Sequence, residues 1–336
     1  MRVAAAQNRL NSQAHLLIRA DAGSQRGAGH VMRCLAVAEA AREHGWRVTM
    51  STHLSAVGWV RPWIESLGVE TVETADTVES LVELGGSTRA DAVLLDHYGF
   101  GDHPDLLPAI EGIGAGLANF EDGEFGRRAA HLSIDYSLGA ESMRRPHDGS
   151  TYCLRGIRFA PIRAEIRTGR SARPEPRDEP LPGPPVVAVL MGGTDAQGLT
   201  ATVEALIAQA GGHAHLLDGG LSLVSQLRRA DAVISAAGVS AYELACLGIP
   251  TALLQAAENQ GANYRAMVAA GAAAGLGTAA ELRAQPALVA NRLRAWLSDP
   301  ELLAATARVG GQLVDGRGAS RIMAALAATS ESLSRS

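Results

Sequence analysis

Lysine is absent from this 336-residue sequence, so every one of its 30 basic positions is an arginine. That excludes Schiff-base chemistry and the lysine of a Walker-type phosphate loop. Cysteine is nearly as scarce. Cys34, Cys153 and Cys246 lie far apart with no Cys-x-x-Cys spacing, which argues against a zinc site or a disulfide framework and suits a reducing, cytoplasmic setting. A basic excess is also missing. The net charge of -5 and a pI near 6.1 are of the wrong sign for binding nucleic acid by counterion release. No apolar run reaches the roughly 18 residues of a membrane span. The opening "MRVAAAQNRLNSQAHLLIRAD" lacks the apolar centre of a signal peptide, so membrane insertion and secretion are not expected.

What is present is enough apolar material, 47% against 19% charged, to build real cores. The length favours two domains. Short β-type runs alternate with helical patterns: "HLLIRAD", a helix from about Gly29 to His44, "WRVTMST", a helix around Val57 to Ser66, then "ADAVLLDHY", "GAGLANFED" and "AHLSIDYS". This is the alternation of βα units in a parallel sheet covered on both faces. From Arg167 to Pro185, "RTGRSARPEPRDEPLPGPP" is rich in proline and charge and reads as a linker. The βα rhythm restarts in "VVAVLMGGTD", "HAHLLDGG", "DAVISAAG" and "PTALLQAAENQ". The expected architecture is α/β: two doubly wound Rossmann-like domains, residues 1–166 and 186–336, facing across a ligand cleft at the carboxyl ends of their strands.

Chemistry-bearing residues cluster where those strands end. Gly27, Ala28 and Gly29 let backbone amides approach a ligand and aim a helix N-terminus at it. A dinucleotide fingerprint needs glycine or alanine at position 32, which is Met32, so a dehydrogenase is disfavoured. His30, on the first helical turn, is either a general base suited to neutral pH or a surface or capping histidine. In "LLDHYG", Asp96, His97 and Tyr98 close a strand and face the crevice by topology, although Asp96 could equally cap a turn and Tyr98 could pack.

In the second half, Gly192, Gly193 and Thr194 of "MGGTD" form a phosphate cradle or an ordinary turn. The stronger segment is "DAVISAAGVSAYELACLGIPTALLQAAENQ". Its Gly238, Val239 and Ser240 open a helix that carries Glu243 and ends at Gly248. Such an N-terminus can hold a diphosphate, and a glutamate one turn in can take a ribose diol. Asn259 and Gln260, at a strand's carboxyl end, can hydrogen bond a sugar or cap a helix.

With these residues in hand, the chain resembles the GT-B nucleotide-sugar enzymes. Within them it resembles the family of UDP-2,4-diacetamido-2,4,6-trideoxy-altropyranose hydrolase and its spore-coat polysaccharide relatives. "RADAGSQRGAGHVMRCLAVAEA" matches the family's Gly-x-Gly-His-x-x-Arg signature after an Arg-Ala-Asp strand end. "LLDHYG", "IDYSLGAES", "YCLRGIRFAPIRAEI", "MGGTD" and the Asp231 to Gln260 segment follow in the family's order, and that last segment also looks like the donor site of a peptidoglycan glycosyltransferase. The resemblance implies that His30 activates the attacking water, with Asp21 and Tyr98 in the catalytic set. It implies that Tyr98, Asn259 and Gln260 contact sugar and phosphate, that Glu243 and the amides around Gly238 hold the nucleotide, and that Gly27, Gly29, Arg33, Asp96 and His97 line the substrate. The implied reaction is inverting cleavage of a UDP-sugar with release of UDP, without metal or cofactor. Two departures bear on the acceptor. The Ala196 to Ala230 stretch is short by a βα unit, and "ANFEDGEFGRRAAHLSIDYS" stands where an Asp-Asp-Leu-Ala type motif is expected. The alternative is therefore a glycosyltransferase acting on a small acceptor, such as a nucleobase or amino sugar. Heavy alanine use without lysine points to an actinobacterial source, where such folds serve specialised metabolism.

Overall fold

A computed structural model describes residues 13–23, 27–55, 57–101, 103–171, 183–217 and 222–335. The first twelve residues of the opening read above for a signal peptide, and 172–182 of the expected linker, lie outside the described residues.

The first sheet comprises β1 (His15–Ala20), β2 (Arg47–Ser51), β3 (Glu70–Val72), β4 (Ala92–Asp96), β5 (Gly116–Phe120), β6 (Leu132–Asp135) and β7 (Tyr152–Arg155), all parallel, in the order β3-β2-β1-β4-β5-β6-β7. The second comprises β8 (Val186–Leu190), β9 (His213–Leu216), β10 (Ala232–Ala236), β11 (Thr251–Gln255) and β12 (Ala274–Thr278), also parallel, in the order β12-β11-β10-β8-β9. The α/β, doubly wound expectation is met in both halves. Parallel strands buried on both faces need continuous apolar runs. Thus β1 hides Leu16, Leu17 and Ile18 completely, each worth about 1.5–3 kcal/mol of burial.

Strand order reverses between β1 and β4 in the first sheet and between β8 and β10 in the second. A crevice opens at the carboxyl edge of such a reversal, because the two following connections leave in opposite directions. Those four strands end at Ala20, Asp96, Leu190 and Ala236, which puts the sequence's candidate residues around two facing crevices.

The helix Gly29–Glu43 is buried nearly all round, from Val31 to Ala41. It packs on the first sheet, on the helix Val239–Leu247 of the second half and on the helix Gly318–Arg335. Its alanines 36, 38, 40 and 41 permit that crowding, and one apolar core runs across both halves. The last helix returns to the first half. Ser330 Oγ donates to the Asp91 carbonyl at 3.1 Å, and Arg321 Nη1 to the Arg158 carbonyl at 2.8 Å. A Cβ on Gly318 would come within 2.0 Å of the Ala160 oxygen, so only glycine fits there. Two structural features bear on the domain limits read from sequence. Arg167 belongs to the helix Ala164–Arg170, so a linker does not begin there, and residues 318–335 pack with the first half. Periodicity alone could not show either, since both follow from tertiary contacts.

Candidate active site

Between the two sheets lies a cavity of about 680 Å³, lined from one side by Asp21, His30, Asp96, Tyr98 and Asp122 and from the other by residues 189–194 and 236–240. His30 stands on the first turn of its helix, and its Nδ1 lies 2.6 Å from Asp96 Oδ1. A carboxylate can only accept, so Nδ1 carries the proton and Nε2 keeps the open lone pair. Asp96 is fully buried at the end of β4. Its other oxygen accepts from Arg33 Nε at 2.6 Å, and Arg33 Nη2 reaches Oδ1 at 2.7 Å. Burial opposes charge on Asp96 more than any other influence, yet Arg33 and His30 beside it hold its carboxyl well below the usual range. The arrangement fixes one imidazole tautomer and places a permanent negative charge behind it, which stabilises an imidazolium when the ring takes a proton.

Tyr98 meets His30 edge-on, with ring centroids 4.8 Å apart. Its hydroxyl donates to Asp122 Oδ2, and burial followed by the Asp122 charge pushes the phenol well above its usual range. Tyr98 is thus a neutral phenol and offers no second base. Asp122 also takes Arg33 Nη1 at 2.6 Å and Nη2 at 2.9 Å, while Tyr136 Oη accepts from Nη1 at 2.9 Å. Arg33 lies over the Phe120 and Tyr136 rings.

Four of the residues expected in the site have partners within the protein. Arg33 and Asp96 were expected to touch substrate; their polar atoms are engaged with each other, with His30 and with Asp122, and so hold the His30 ring in place. Asp21 was expected to be catalytic. Directly after β1 it forms a junction, accepting from Arg19, from the His53 backbone N–H at 2.8 Å and from His97 Nε2 at 3.1 Å. His97 was expected to bind substrate. Its Nδ1 accepts the Gly99 N–H at 3.0 Å while Nε2 serves Asp21, so both ring nitrogens are spent on the loop itself. Strand-end position pointed to Asp21, Asp96 and His97, and the family resemblance to Arg33; all four border the crevice. Only the partners, brought from distant sequence, distinguish support from contact.

The Gly-rich turns fall where expected. Gly27 has φ +73 and is tied back to Gly23 by two backbone hydrogen bonds, and Gly192 has φ +87; both are left-handed conformations that favour glycine. Gly29 faces the second half so closely that a Cβ there would lie 3.3 Å from Val239 Cγ2. Gly193 meets the first half: its carbonyl accepts from Trp59 Nε1 at 3.2 Å. Gly193 and Thr194 border the cavity, and Asp195 caps the helix Thr200–Ala210 through the Leu199 and Thr200 amides.

Gly238 precedes the helix Val239–Leu247 without a side-chain cap, so the first-turn amides at Val239 and Ser240 face the cavity with no intrahelical acceptor. Gln260 Oε1 takes the Ala256 N–H at 3.0 Å, and its Nε2 stands beside Gly238. Asn259 is exposed on the same wall. Glu243 is buried in a bidentate pair with Arg163, at 2.6 and 3.0 Å. Its carboxylate therefore first serves to join the halves, leaving spare lone pairs for a ribose. Arg163 also lies over the Trp63 ring at 4.3 Å.

Asp122, Asp135, Tyr136, Arg163 and Asn263 border the cavity as well, without having been singled out from sequence. Asp122 and Asp135 were findable: each follows or ends a strand at the edge that betrayed Asp96. Arg163 carries no such signal, since its partner lies 80 residues away. Among the described residues, no group of three His, Cys, Asp or Glu side chains is placed to hold a metal ion, and no helix is long and apolar enough to cross a membrane.

No family model matches the chain. Over 100 residues, 30% of this chain, it is 37% identical to the spore coat polysaccharide biosynthesis protein SpsG of Bacillus subtilis (strain 168), and the match spans 29% of that protein. In three dimensions it resembles LpCGTa, solved in complex with UDP, with a TM-score of 0.66 and 13% identity over 96% of this chain and all of that one. It also resembles CalG4, the calicheamicin glycosyltransferase, with a TM-score of 0.60 and 14% identity over 96% of this chain and 99% of that one. Identities this low speak for the fold alone, and the fold is GT-B-like.

Proposed function

We propose that this protein is a GT-B nucleotide-sugar enzyme that moves a sugar from a nucleoside-diphosphate donor, UDP by the sequence resemblance, to a small acceptor. The observation that carries the reading is one cavity with His30, backed by Asp96, on one wall and the uncapped N-terminus of Val239–Leu247 on the other. The donor's diphosphate accepts from the Val239 and Ser240 amides, with Gly192 to Thr194 alongside, and the developing charge on the leaving diphosphate is stabilised there. His30 Nε2 removes the proton from the acceptor's O–H or N–H as that atom attacks the anomeric carbon. The new bond forms on the face opposite the departing diphosphate, so configuration inverts. Tyr98, Asn259 and Gln260 contact the sugar and its phosphates. The fold likeness to CalG4, named for glycosyl transfer, and to LpCGTa, holding UDP, supports transfer over hydrolysis. Unpaired Cys34, Cys153 and Cys246 support a cytoplasmic setting.

Water as acceptor is the second reading, favoured by the Gly27 to Arg33 block and its resemblance to a hydrolase family. UDP release from a panel of UDP-sugars, measured with and without acceptors, separates the two. Release that depends on acceptor supports transfer, acceptor-independent release at full rate supports hydrolysis, and no release from any donor removes both.

A further inference from the structure

Five carboxylates are buried among the described residues: Asp21, Glu121, Asp96, Asp135 and Glu243. Four are matched by an arginine: Asp21 by Arg19, Glu121 by Arg145, Asp96 by Arg33 and Glu243 by Arg163. Asp135 is the exception. It ends β6 on the same cleft edge as Asp96, borders the cavity and is 4% exposed, yet among the described residues its side chain is bonded only to Ser137, whose N–H reaches Oδ1 at 3.1 Å. No Arg or His of the described residues pairs with it. Burial, with Glu121 and Asp122 adding their charge, pushes its carboxyl above the ordinary range. A buried charge without a counter-charge is costly, and this one faces a ligand cavity.

We infer that Asp135 anchors a protonated amine of the acceptor, so that the acceptor is a small molecule carrying a basic nitrogen beside its nucleophilic hydroxyl, as in an amino sugar or aminocyclitol. This rests on the transfer reading above and names its acceptor class. The missing counter-charge is then supplied by the ligand. A neutral hydroxyl would leave the charge uncompensated, and an anionic acceptor would be repelled by Asp135, since Asp122 and Glu121 are already paired with Arg33 and Arg145.

The test is calorimetric titration of the full chain, saturated with UDP, with glucosamine, 2-deoxystreptamine and the N-acetylated form of each. A charge-assisted hydrogen bond to the carboxylate should favour the free amines by roughly tenfold or more, a preference that Asp135→Asn abolishes. Unchanged UDP affinity and melting temperature show that the variant is folded. If the amines and their N-acetyl forms bind wild type alike, if neither binds, or if the preference survives in Asp135→Asn, the proposal is overturned. Should the variant not fold, the wild-type preference decides alone. Sugar transfer is scored separately. Amine preference without transfer removes the transfer reading and keeps the anchor, whereas transfer without amine preference does the reverse.

Discussion

His30 and Asp96, 66 positions apart, are joined by a 2.6 Å contact between Nδ1 and Oδ1, and Arg33 grips the same carboxylate from one helical turn away. One helix thus supplies both the imidazole and the cation that holds its orienting partner in place, while β4 supplies the carboxylate. Rotation of the ring or loss of its tautomer would require breaking a buried ion pair.

Removing the base should therefore affect turnover rather than binding. In His30→Ala, kcat for UDP release should fall by about 10²–10⁴ with UDP affinity essentially unchanged. Asp96→Asn should cost rate and also stability, by no more than about 3–5 kcal/mol, because a buried ion pair is broken and Arg33 keeps only Asp122 as a counter-charge. Steady-state kinetics and urea unfolding on both variants check the pair. Full turnover in His30→Ala would remove the assigned base.

The legibility of this site followed a physical boundary. Position along the fold was readable, because a parallel strand's end and a glycine turn are local events: "GAGH", "LLDHY", "MGGT" and "AAGVS" all reached the cavity. Partnership was not, because an ion pair such as Arg163–Glu243 depends on how two sheets dock. Hence Arg33, Asp96, Asp21 and His97 stand in the expected crevice, while the partners that engage their polar atoms come from elsewhere in the sequence. The return of the last helix, Gly318–Arg335, is likewise a matter of docking, and nothing in its own pattern names the surface it covers.

Gly193→Ala tests whether the close approach of the halves matters. A Cβ there would lie 2.6 Å from Trp59 Cζ2 and 2.9 Å from Ala28 Cβ, well inside van der Waals contact. The cleft should open, raising the radius of gyration in solution scattering and raising KM for the donor, with little change in urea midpoint. An unchanged KM and radius would mean that the Trp59 side simply yields.

Arg163 and Glu243 tie the halves together in a buried site, so truncating either alone should be worse than replacing both. Arg163→Met should lower the unfolding free energy by about 3–5 kcal/mol, while Arg163→Met with Glu243→Leu should recover much of the loss. Chemical denaturation of the two single variants and the double variant measures the coupling. Additive losses would show that the pair contributes no mutual stabilisation.

Stability should decline on acidification in two stages. Burial holds His15 and His131 below the ordinary imidazole value, so the unfolded chain takes up protons first, at about pH 6.5, and the contribution present above that pH is lost as pH falls. Despite burial, their cationic and hydrogen-bonding partners hold Asp21 and Asp96 below the carboxylate range, giving a second loss as pH drops below about 4. Glu39 and Asp135 are shifted upward, chiefly by burial, and soften the second stage from above. Urea midpoints across this range follow both stages. His15→Gln with His131→Gln should flatten the first stage, and a midpoint that rises from pH 7 to 5.5 in the wild type would contradict the assignment.

A charge placed at the open helix end separates donor binding from folding, because the two respond with opposite sign. The helix Val239–Leu247 has no acidic residue in its first turn, and its positive end faces the cavity. Ser240→Glu should therefore stabilise the helix slightly, by about 0.3–1 kcal/mol at most, through the macrodipole. The same carboxylate would stand where the diphosphate is proposed to bind, and like charges a few ångströms apart at a partly buried site repel by several kcal/mol. UDP affinity should fall more than tenfold while the melting temperature holds or rises, read by titration and thermal unfolding of one sample. Loss of both together would indicate a misfolded helix. Retention of both would move the diphosphate elsewhere in the cavity, leaving the Gly192 to Thr194 turn as the next position to charge.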